Sequence, residues 1–307
     1  MVTDIAQWLG AESFINPTKR LYWLFLLSSF LIALIFAYYK KTGQEWLSKE
    51  IWWHRSARLD YQYYVLISLI KSLLIYPFVI SVTETTHITL QLLISLFDYQ
   101  ETLYLTHWII VTLYTASLFL FSDFTRYWLH RLLHKSELLW AFHQVHHSAE
   151  VLTPITFYRV HPVESVLFGF RYALSTGFVT GIFLYLFGAQ LSLFDILGVN
   201  ALHFIALFIG SNLRHSPVPL AYYHWLEHWF ISPKQHQQHH TPAYSNKNFG
   251  GVLAIWDTLF NTLQTNSNLP SNIKVYGLKA EESLRLHSIK DLLFKPFISI
   301  IRQRKSF

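Results

Sequence analysis

Long apolar segments dominate the chain and predict an all-α membrane protein. A helix that crosses a bilayer needs about 20 mostly apolar residues, and five stretches have that length, namely 21–39, 63–82, 103–122, 166–187 and 191–210. Only three residues separate the last two stretches, which predicts a tight helical hairpin. Segment 88–97 is apolar but too short to span, and we place it at the membrane interface. We therefore expect an integral membrane helical bundle of about four to five transmembrane helices.

Composition agrees with a membrane location and restricts the chemistry. Hydrophobic residues make up 52% of the 307 residues and charged residues only 14%, whereas soluble domains carry about 25% charged residues. Cysteine is absent, so that any transition metal must be held by nitrogen and oxygen ligands. The net charge of +6 is interpreted as topology and lipid attraction, and no basic, aromatic-rich stretch indicates nucleic-acid binding.

The distribution of charge predicts the orientation. Basic residues follow the first, third and fifth predicted spans, and Arg126, Arg159 and Arg214 are among them. Segment 83–102 has acidic residues but no lysine or arginine. The positive-inside rule then places the basic segments in the cytoplasm. Because the histidine-rich segments lie on the same side, we expect a cytoplasmic, histidine-rich helical cap.

Histidines are concentrated in three short boxes. An HxxxH box is followed by an HxxHH box, and a second HxxHH box comes about ninety residues later. Residues three and four positions apart share one face of a helix, whereas adjacent histidines diverge enough to serve two different ions. Neutral imidazole is the commonest nitrogen ligand of transition metals, and eight of them are too many for one ion. The boxes therefore predict a site for more than one metal, and their members are His130, His134, His143, His146, His147, His236, His239 and His240.

The order of these motifs resembles a known family. HRLLH, HQVHHS, His161-Pro162, PKQHQQHH and NFGGVLAIWDTLF, over roughly residues 105–265, resemble the fatty acid hydroxylase superfamily, also called the sterol desaturase family. The resemblance implies a membrane-bound, non-haem di-iron oxygenase with no catalytic residue beyond its metal site. Such an enzyme would use O₂ and two electrons to hydroxylate or desaturate a C–H bond of a lipid, such as a sterol or a fatty acyl chain. It would hold both irons with imidazoles on the cytoplasmic face.

The resemblance also implies residues outside the boxes. His215 occupies the place of a further ligand, with Asn212 beside it, and we add it to the eight boxed histidines. His161 lies in the family's Arg-x-His-Pro stretch and is either a direct ligand or a residue that orients one, which gives ten candidate metal ligands in all. Asp257 is interpreted as structural, orienting a histidine.

Electrons must come from elsewhere, because the chain has no GxGxxG fingerprint for a flavin or nicotinamide. We expect a separate, NAD(P)H-linked carrier, either cytochrome b5-like or ferredoxin-like, that docks on the basic surface. The predicted organisation has three parts. N-terminal membrane helices and an interfacial segment occupy 1–104, the di-iron hydroxylase domain occupies 105–265, and a basic tail occupies 266–307. The tail is either an amphipathic helix on the membrane or a solvated end.

Other classes of function are possible. His224-x-x-Glu227-His228 matches a zinc-peptidase signature, so that a zinc-dependent membrane hydrolase is one alternative. A non-catalytic metal-binding or transport protein is another, although a transporter typically binds its ion near the middle of its spans. A membrane cytochrome would use pairs of axial histidines rather than dense boxes. The sequence leaves open which lipid is the substrate and whether it is hydroxylated or desaturated.

Overall fold

The computed structural model describes residues 9–41, 44–99, 102–266, 276–279 and 286–304, which are mainly helical. The α-helices are α1 Glu12–Ile15, α2 Trp23–Lys40, α3 Lys49–Trp52, α4 Arg55–Ile70, α5 Val82–Phe97, α6 His107–Lys135, α7 Glu137–His147, α8 Pro162–Phe187, α9 Ala201–Phe208, α10 Pro233–His239, α11 Ile255–Leu259 and α12 Ile289–Arg304. A π-helical turn covers Lys71–Ile75, and 3₁₀ turns cover Gln44–Leu47, Tyr76–Phe78, Pro154–Tyr158, Gly188–Gln190, Ser211–His215 and Leu226–His228. Two short strands, β1 Asp195–Ile196 and β2 Val199–Asn200, pair antiparallel.

Three helices within the described residues are long and apolar enough to cross a membrane, namely α2, α6 and α8. The prediction of an all-α bundle with membrane helices is confirmed, whereas the predicted number of four to five spans is not. The second and fifth predicted spans, 63–82 and 191–210, are not continuous helices.

Backbone chemistry explains both interruptions. Proline has no N–H and its ring clashes with the preceding helical turn, and Pro77 lies where the π turn gives way to a 3₁₀ turn after α4 has ended at Ile70. In the fifth predicted span, Leu197 and Gly198 both have positive φ, 54° and 74°. That conformation suits the two-residue turn of a β-hairpin. Residues 195–200 therefore form β1 and β2, and only α9 remains helical.

Helix α5 contains the predicted interfacial segment 88–97 and packs along α8. Thr85 Oγ1 donates a hydrogen bond to the carbonyl oxygen of Ala173 at 2.8 Å. Gly177 on α8 faces the same threonine, and the absence of a side chain there allows the two backbones to approach closely. The segment is thus part of a longer helix that is packed against a membrane helix.

Replacing Gly177 with alanine is expected to destabilise this packing. The new Cβ would lie 1.9 Å from Thr85 Oγ1 and 2.8 Å from the backbone nitrogen of Thr86, so that α5 has to move. Overpacking of this kind costs about 1–3 kcal/mol. Thermal unfolding of the detergent-solubilised protein measures the loss. Gly169→Ala is the control because its Cβ would lie 3.2 Å from a Val79 methyl group. Unchanged stability of Gly177→Ala would contradict the close approach.

The cap is built on α4, α7 and α12. Tyr63 and Ile67 of α4, Val145 of α7 and Leu292 of α12 belong to one buried apolar cluster. Phe297 of α12 packs edge-to-face on Phe142 of α7, with ring centroids 5.2 Å apart. The predicted basic tail therefore includes a helix that supports the first HxxHH box, in α7. Residues 267–275, 280–285 and 305–307 of that tail lie outside the described residues.

Candidate metal centre

Four elements carry the predicted histidine ligands to one place. The HxxxH box lies in the last turns of α6 and the first HxxHH box in α7. Ser136 is the only residue between these helices. It is the N-cap of α7, and its side chain accepts a hydrogen bond from the Leu139 backbone nitrogen at 3.5 Å, so that α7 begins immediately after α6. The last box lies at the end of α10, which begins with a capping box between Ser232 and Gln235 and with a proline at its start. His215 ends the 3₁₀ turn Ser211–His215.

Nine of the ten candidate ligands form two groups. Within each group, one possible ligand atom from every histidine lies within 4.8 Å of all the others. The adjacent histidines of each HxxHH box are divided between the groups. The first group is His130, His134, His143, His147 and His239, and the second group is His146, His215, His236 and His240.

The second group has its Nε2 atoms facing one another. His215 Nε2 lies 3.2 Å from His146 Nε2, 3.1 Å from His240 Nε2 and 3.2 Å from His236 Nε2. Nitrogen ligands about 2.0–2.1 Å from one ion lie roughly 3 Å apart. The spacing therefore matches a single metal ion bound by four imidazoles.

The first group has the same character. His239 Nε2 and His130 Nε2 lie 3.0 Å apart. The Nε2 atoms of His134, His143 and His147 are buried without a hydrogen-bond partner among the described residues. Buried polar atoms without partners are uncommon in folded proteins and need an explanation such as a bound ion. The convergence of five imidazoles on one place indicates that the explanation is a bound metal ion.

Backbone carbonyl groups orient several rings. His130 Nδ1 donates to Phe249 O at 2.8 Å, His239 Nδ1 donates to Lys247 O at 2.7 Å, and His146 Nδ1 donates to Arg159 O at 3.3 Å. A histidine whose Nδ1 carries the proton has a free lone pair on Nε2. These contacts therefore direct Nε2 lone pairs into the groups, as metal ligands require.

Burial keeps these imidazoles neutral. It lowers the pKa of His143 and of His146 to about 3. Burial, followed by the neighbouring imidazoles, also lowers the pKa of His147 and His240 well below the usual value. A neutral imidazole binds metal without first losing a proton. Such nitrogen ligands suit iron, zinc, copper or nickel, so the residues present fit the metal that the sequence predicts without selecting it.

The tenth candidate, His161, lies outside both groups. It is the N-cap of α8, where its Nδ1 accepts a hydrogen bond from the Val163 backbone nitrogen at 3.1 Å. Its Nε2 donates to Leu293 O of α12 at 3.1 Å. Both ring nitrogens thus have partners. Of the two roles left open by the sequence, this geometry favours an orienting one, and we propose that His161 positions the start of α8.

The zinc-peptidase alternative is not favoured by the structure. Glu227 is buried and accepts hydrogen bonds from Ser232 Oγ at 3.2 Å and from the Asn266 backbone nitrogen at 2.9 Å. The rings of His224 and His228 are 5.1 Å apart, but neither belongs to a metal-binding group among the described residues. Glu227 connects the chain before α10 to Asn266.

Asp257 has the structural role that we expected, because it accepts hydrogen bonds from the backbone nitrogens of Phe249 and Gly250, next to the carbonyl that orients His130.

Glu164 is a functional candidate that the motifs did not indicate. It lies in the first turn of α8, is 2% exposed, and places Oε1 3.0 Å from His143 Nδ1. A carboxylate beside the second nitrogen of a ligating histidine fixes the ring and increases its basicity. The signal available in the sequence was a lone acidic residue three positions after His161, at the edge of an apolar stretch.

Changing Glu164 to glutamine is expected to weaken metal binding by the first group about 10–100-fold, which is typical for loss of an orienting partner. The second group should lose less affinity, because Glu164 lies next to His143 and reaches the second group only through a longer-range electrostatic interaction with His146. Chelator competition on the purified protein measures both affinities. Glu137→Gln, on the exposed start of α7, is the matched control. Equal loss from both groups would contradict a specific effect on His143.

Two of the arginines used to predict the orientation have other roles in the structure. Arg159 is 1% exposed and forms a buried ion pair with Asp60, and Arg214 is 8% exposed. Neither contributes surface charge to a loop. The cytoplasmic location of the metal centre stays a prediction, now supported mainly by the basic residues outside the site.

A cavity of about 200 Å³ reaches the first group from outside. It is lined by His134 and His147 of this group and by Trp140, Gly277 and Lys279. The first group is thus accessible to small molecules.

Comparison with known proteins shows that one family model matches the part of the chain that carries these features. The model for "Fatty acid hydroxylase" matches residues 115–262, which include all ten candidate ligands. An ornithine lipid hydroxylase of Rhizobium tropici is 34% identical over 158 residues, or 50% of this chain and 42% of that protein. The alkylglycerol monooxygenase of Homo sapiens is 32% identical over 164 residues, or 53% of this chain and 32% of that protein.

A Delta(7)-sterol 5(6)-desaturase of Gibberella zeae is 29% identical over 143 residues, which cover 47% of this chain and 39% of that protein. The chain thus spans less than half the length of each of these curated relatives. No solved structure matches it.

Proposed function

We propose, on the premise that residues 115–262 match the model of the fatty acid hydroxylase family, that the chain oxidises a C–H bond of a membrane lipid, with two iron ions held by its two histidine groups. O₂ would be the oxidant and two external electrons the reductant. Hydroxylation would convert R–H, O₂, two protons and two electrons into R–OH and water. Desaturation of neighbouring CH₂ groups would use the same inputs and release two waters.

The observation that carries the proposal is the division of nine histidines, eight of them buried and His134 partly buried, into two groups with converging ring nitrogens. One group would suit a structural or hydrolytic ion. Two adjacent groups suit a reaction in which O₂ must receive several electrons, and activating O₂ is the chemistry that the iron pair supplies when bound.

The protein's own contribution is to hold and orient the metal-binding histidines and to exclude water from them. His130, His146 and His239 are oriented by backbone carbonyl groups, and Glu164 Oε1 lies 3.0 Å from His143 Nδ1. Because every histidine of the second group is at most 9% exposed, bulk water has little access there. A dry, rigid ligand set protects a reactive centre from side reactions.

Partners and location belong to the same proposal. All three candidate membrane helices adjoin the metal centre. Helix α6 carries the HxxxH box, α8 carries Glu164 in its first turn, and α2 packs through Ala33 on Leu213 of the turn that ends at His215. A lipid could therefore approach from the bilayer. We propose that the centre faces the cytoplasm and receives electrons from a separate NAD(P)H-linked carrier of the cytochrome b5 or ferredoxin type.

The test is lipid mass spectrometry of cells that express the wild-type chain or His146→Ala together with a reductase system. We expect a lipid that gains one oxygen atom or loses two hydrogen atoms with the wild type and not with the variant. Iron analysis of the purified protein accompanies it. Tightly held zinc with O₂-independent hydrolysis, or a product that persists in the His146→Ala cells, would contradict the proposal.

A further inference from the structure

Three arginines lie together next to the second histidine group. Arg214 immediately precedes His215 and donates hydrogen bonds to the carbonyl oxygens of Gly251 and Ile231. Arg126 lies against the same glycine, where an added Cβ would come within 2.8 Å of Arg126 Cδ. Arg20 donates to the carbonyl oxygen of Ser211 and to Asn212 Oδ1, one turn from Arg214. We call Arg20, Arg126 and Arg214 the arginine cluster.

The cluster lacks matching negative charge. None of its members forms an ion pair with a carboxylate among the described residues, whereas the buried Arg159 pairs with Asp60 at 2.5 Å. Asp123 is the carboxylate that interacts with both Arg126 and Arg214. Its oxygens already accept hydrogen bonds from two backbone nitrogens and from Trp256 Nε1. Glu164 also interacts with Arg126, but its Oε1 lies beside His143 Nδ1. Two carboxylates, each with other partners, therefore face three guanidinium groups.

Their hydrogen-bonding capacity is also unfilled. Arg214 is 8% exposed and its Nε is buried without a partner. The described residues supply no hydrogen-bond acceptor to Arg126, whose guanidinium lies 5.8 Å from the Phe168 ring. Arg20 lies 4.4 Å from the Phe157 ring. A cation–π contact stabilises a guanidinium less than its removal from water costs when it has no ion-pair partner.

The three guanidinium groups repel one another in this arrangement. Burial lowers the pKa of Arg20 well below its usual value, and the charges of Arg214 and Arg126 lower it further. The same three charges, after burial and His146, lower the pKa of His215. A cluster this close to a ligand of the second group is placed to hold part of a molecule that reacts there.

An apolar cleft adjoins the cluster. Arg126 precedes His130 by one helical turn, about 6 Å toward the membrane-spanning part of α6. A cleft of about 630 Å³ between α5, α6 and α8 begins beside it and is lined by Thr125, Leu129 and Phe178. Arg171 lines the cleft and interacts electrostatically with Arg126. A charged group next to an apolar cleft matches the two ends of a lipid.

We propose that the arginine cluster binds an oxyanion, a phosphate or a carboxylate, in the headgroup of the lipid substrate. This rests on the proposed function, since it names the class of lipid that the metal centre would oxidise. Guanidinium groups bind such oxyanions through paired hydrogen bonds. The apolar cleft would hold the chain of the same lipid.

The test measures binding to the full, iron-loaded protein in detergent without O₂ or reductant, so that no turnover is needed. Thermal-stability titrations compare dipalmitoyl phosphatidic acid with dipalmitoylglycerol, and palmitate with hexadecanol. At least one charged lipid should bind 10-fold or more tightly than its neutral partner. Equal binding within both pairs would overturn the inference.

Variants assign the preference to the cluster. Arg126→Gln should abolish it, Arg126→Lys should retain part of it, and Arg58→Gln, an exposed arginine of α4, should leave it unchanged. Arg126→Gln should also raise the stability of the lipid-free protein, because it removes a partly buried charge that has no ion-pair partner among the described residues. A merely structural arginine would give the opposite pattern, namely lower stability and an unchanged lipid preference, which would overturn the inference.

Inorganic phosphate distinguishes the source of the oxyanion. If phosphate alone stabilises the protein as strongly as phosphatidic acid and competes with it at equal concentration, the ligand is a free anion and the lipid assignment is wrong. Iron-loaded protein that lacks any lipid preference would contradict this inference alone. Protein that prefers a charged lipid but oxidises none would contradict the proposed function alone.

Discussion

His215→Ala is expected to lose one of two bound metal ions and to keep the other. His215 is the member of the second group whose Nε2 contacts the other three, and it does not belong to the first group. His134→Ala should give the mirror result, because it removes a member of the first group only. Either variant should lose more activity than the roughly 10–100-fold that typically follows removal of a residue that only orients a metal ligand.

Elemental analysis of the purified variants, with a chelator step that removes loosely bound metal, measures this. His87→Ala is the matched control, because His87 is exposed and outside both groups. Thermal unfolding shows whether each variant is folded. Loss of both ions from each single variant would show one cooperative site and contradict the division into two groups.

Asp60→Ala is expected to cost about 3–5 kcal/mol of stability, the range for removing one partner of a buried ion pair. Asp60 and Arg159 are each about 1% exposed. Asp60 Oδ1 accepts from Arg159 Nε at 2.5 Å and its Oδ2 accepts from Thr156 Oγ1 at 2.7 Å. Without the carboxylate, a buried guanidinium has no counter-charge. Because Arg159 O orients His146, the second group should also bind metal less tightly.

Denaturant unfolding in detergent and metal retention measure the two effects. Glu150→Ala is the control, since its ion pair with Arg55 is half exposed and such pairs contribute about 0–1 kcal/mol. The double variant Asp60→Ala/Arg159→Met should recover part of the stability, because it also removes the buried guanidinium that Asp60→Ala leaves unpaired. Equal losses for Asp60→Ala and Glu150→Ala would be inconsistent with a buried pair.

The histidine boxes could be predicted because their information is local. Spacings of three and four residues place His143, His146 and His147 along one side of a helix, and the resemblance added His215. The membership of each group could not be predicted in this way. It depends on how α6, α7, α10 and the 211–215 turn meet, which no single spacing records. Comparison confirmed the family that these motifs resembled.

Other features depend on contacts that are distant in sequence. Asp60 and Arg159 are 99 residues apart, and Arg20 meets Asn212 across 192 residues. Hydropathy also predicted continuous helices at 63–82 and 191–210, because it does not record that Pro77 interrupts a helix or that Leu197 and Gly198 form a turn. Charge counting treated Arg159 and Arg214 as loop residues, although tertiary packing buries both.

The alternation of neighbouring histidines has a consequence for the precision of the centre. His146 and His147 have ring centroids 5.7 Å apart, and His239 and His240 have theirs 5.8 Å apart. Each pair joins the two groups through a single peptide bond, whose Cα–Cα distance is constant at about 3.8 Å. Covalent geometry, at two independent places, therefore limits how far the groups can separate. Motions of the surrounding helices can tilt the centre as a unit while changing its internal spacing very little.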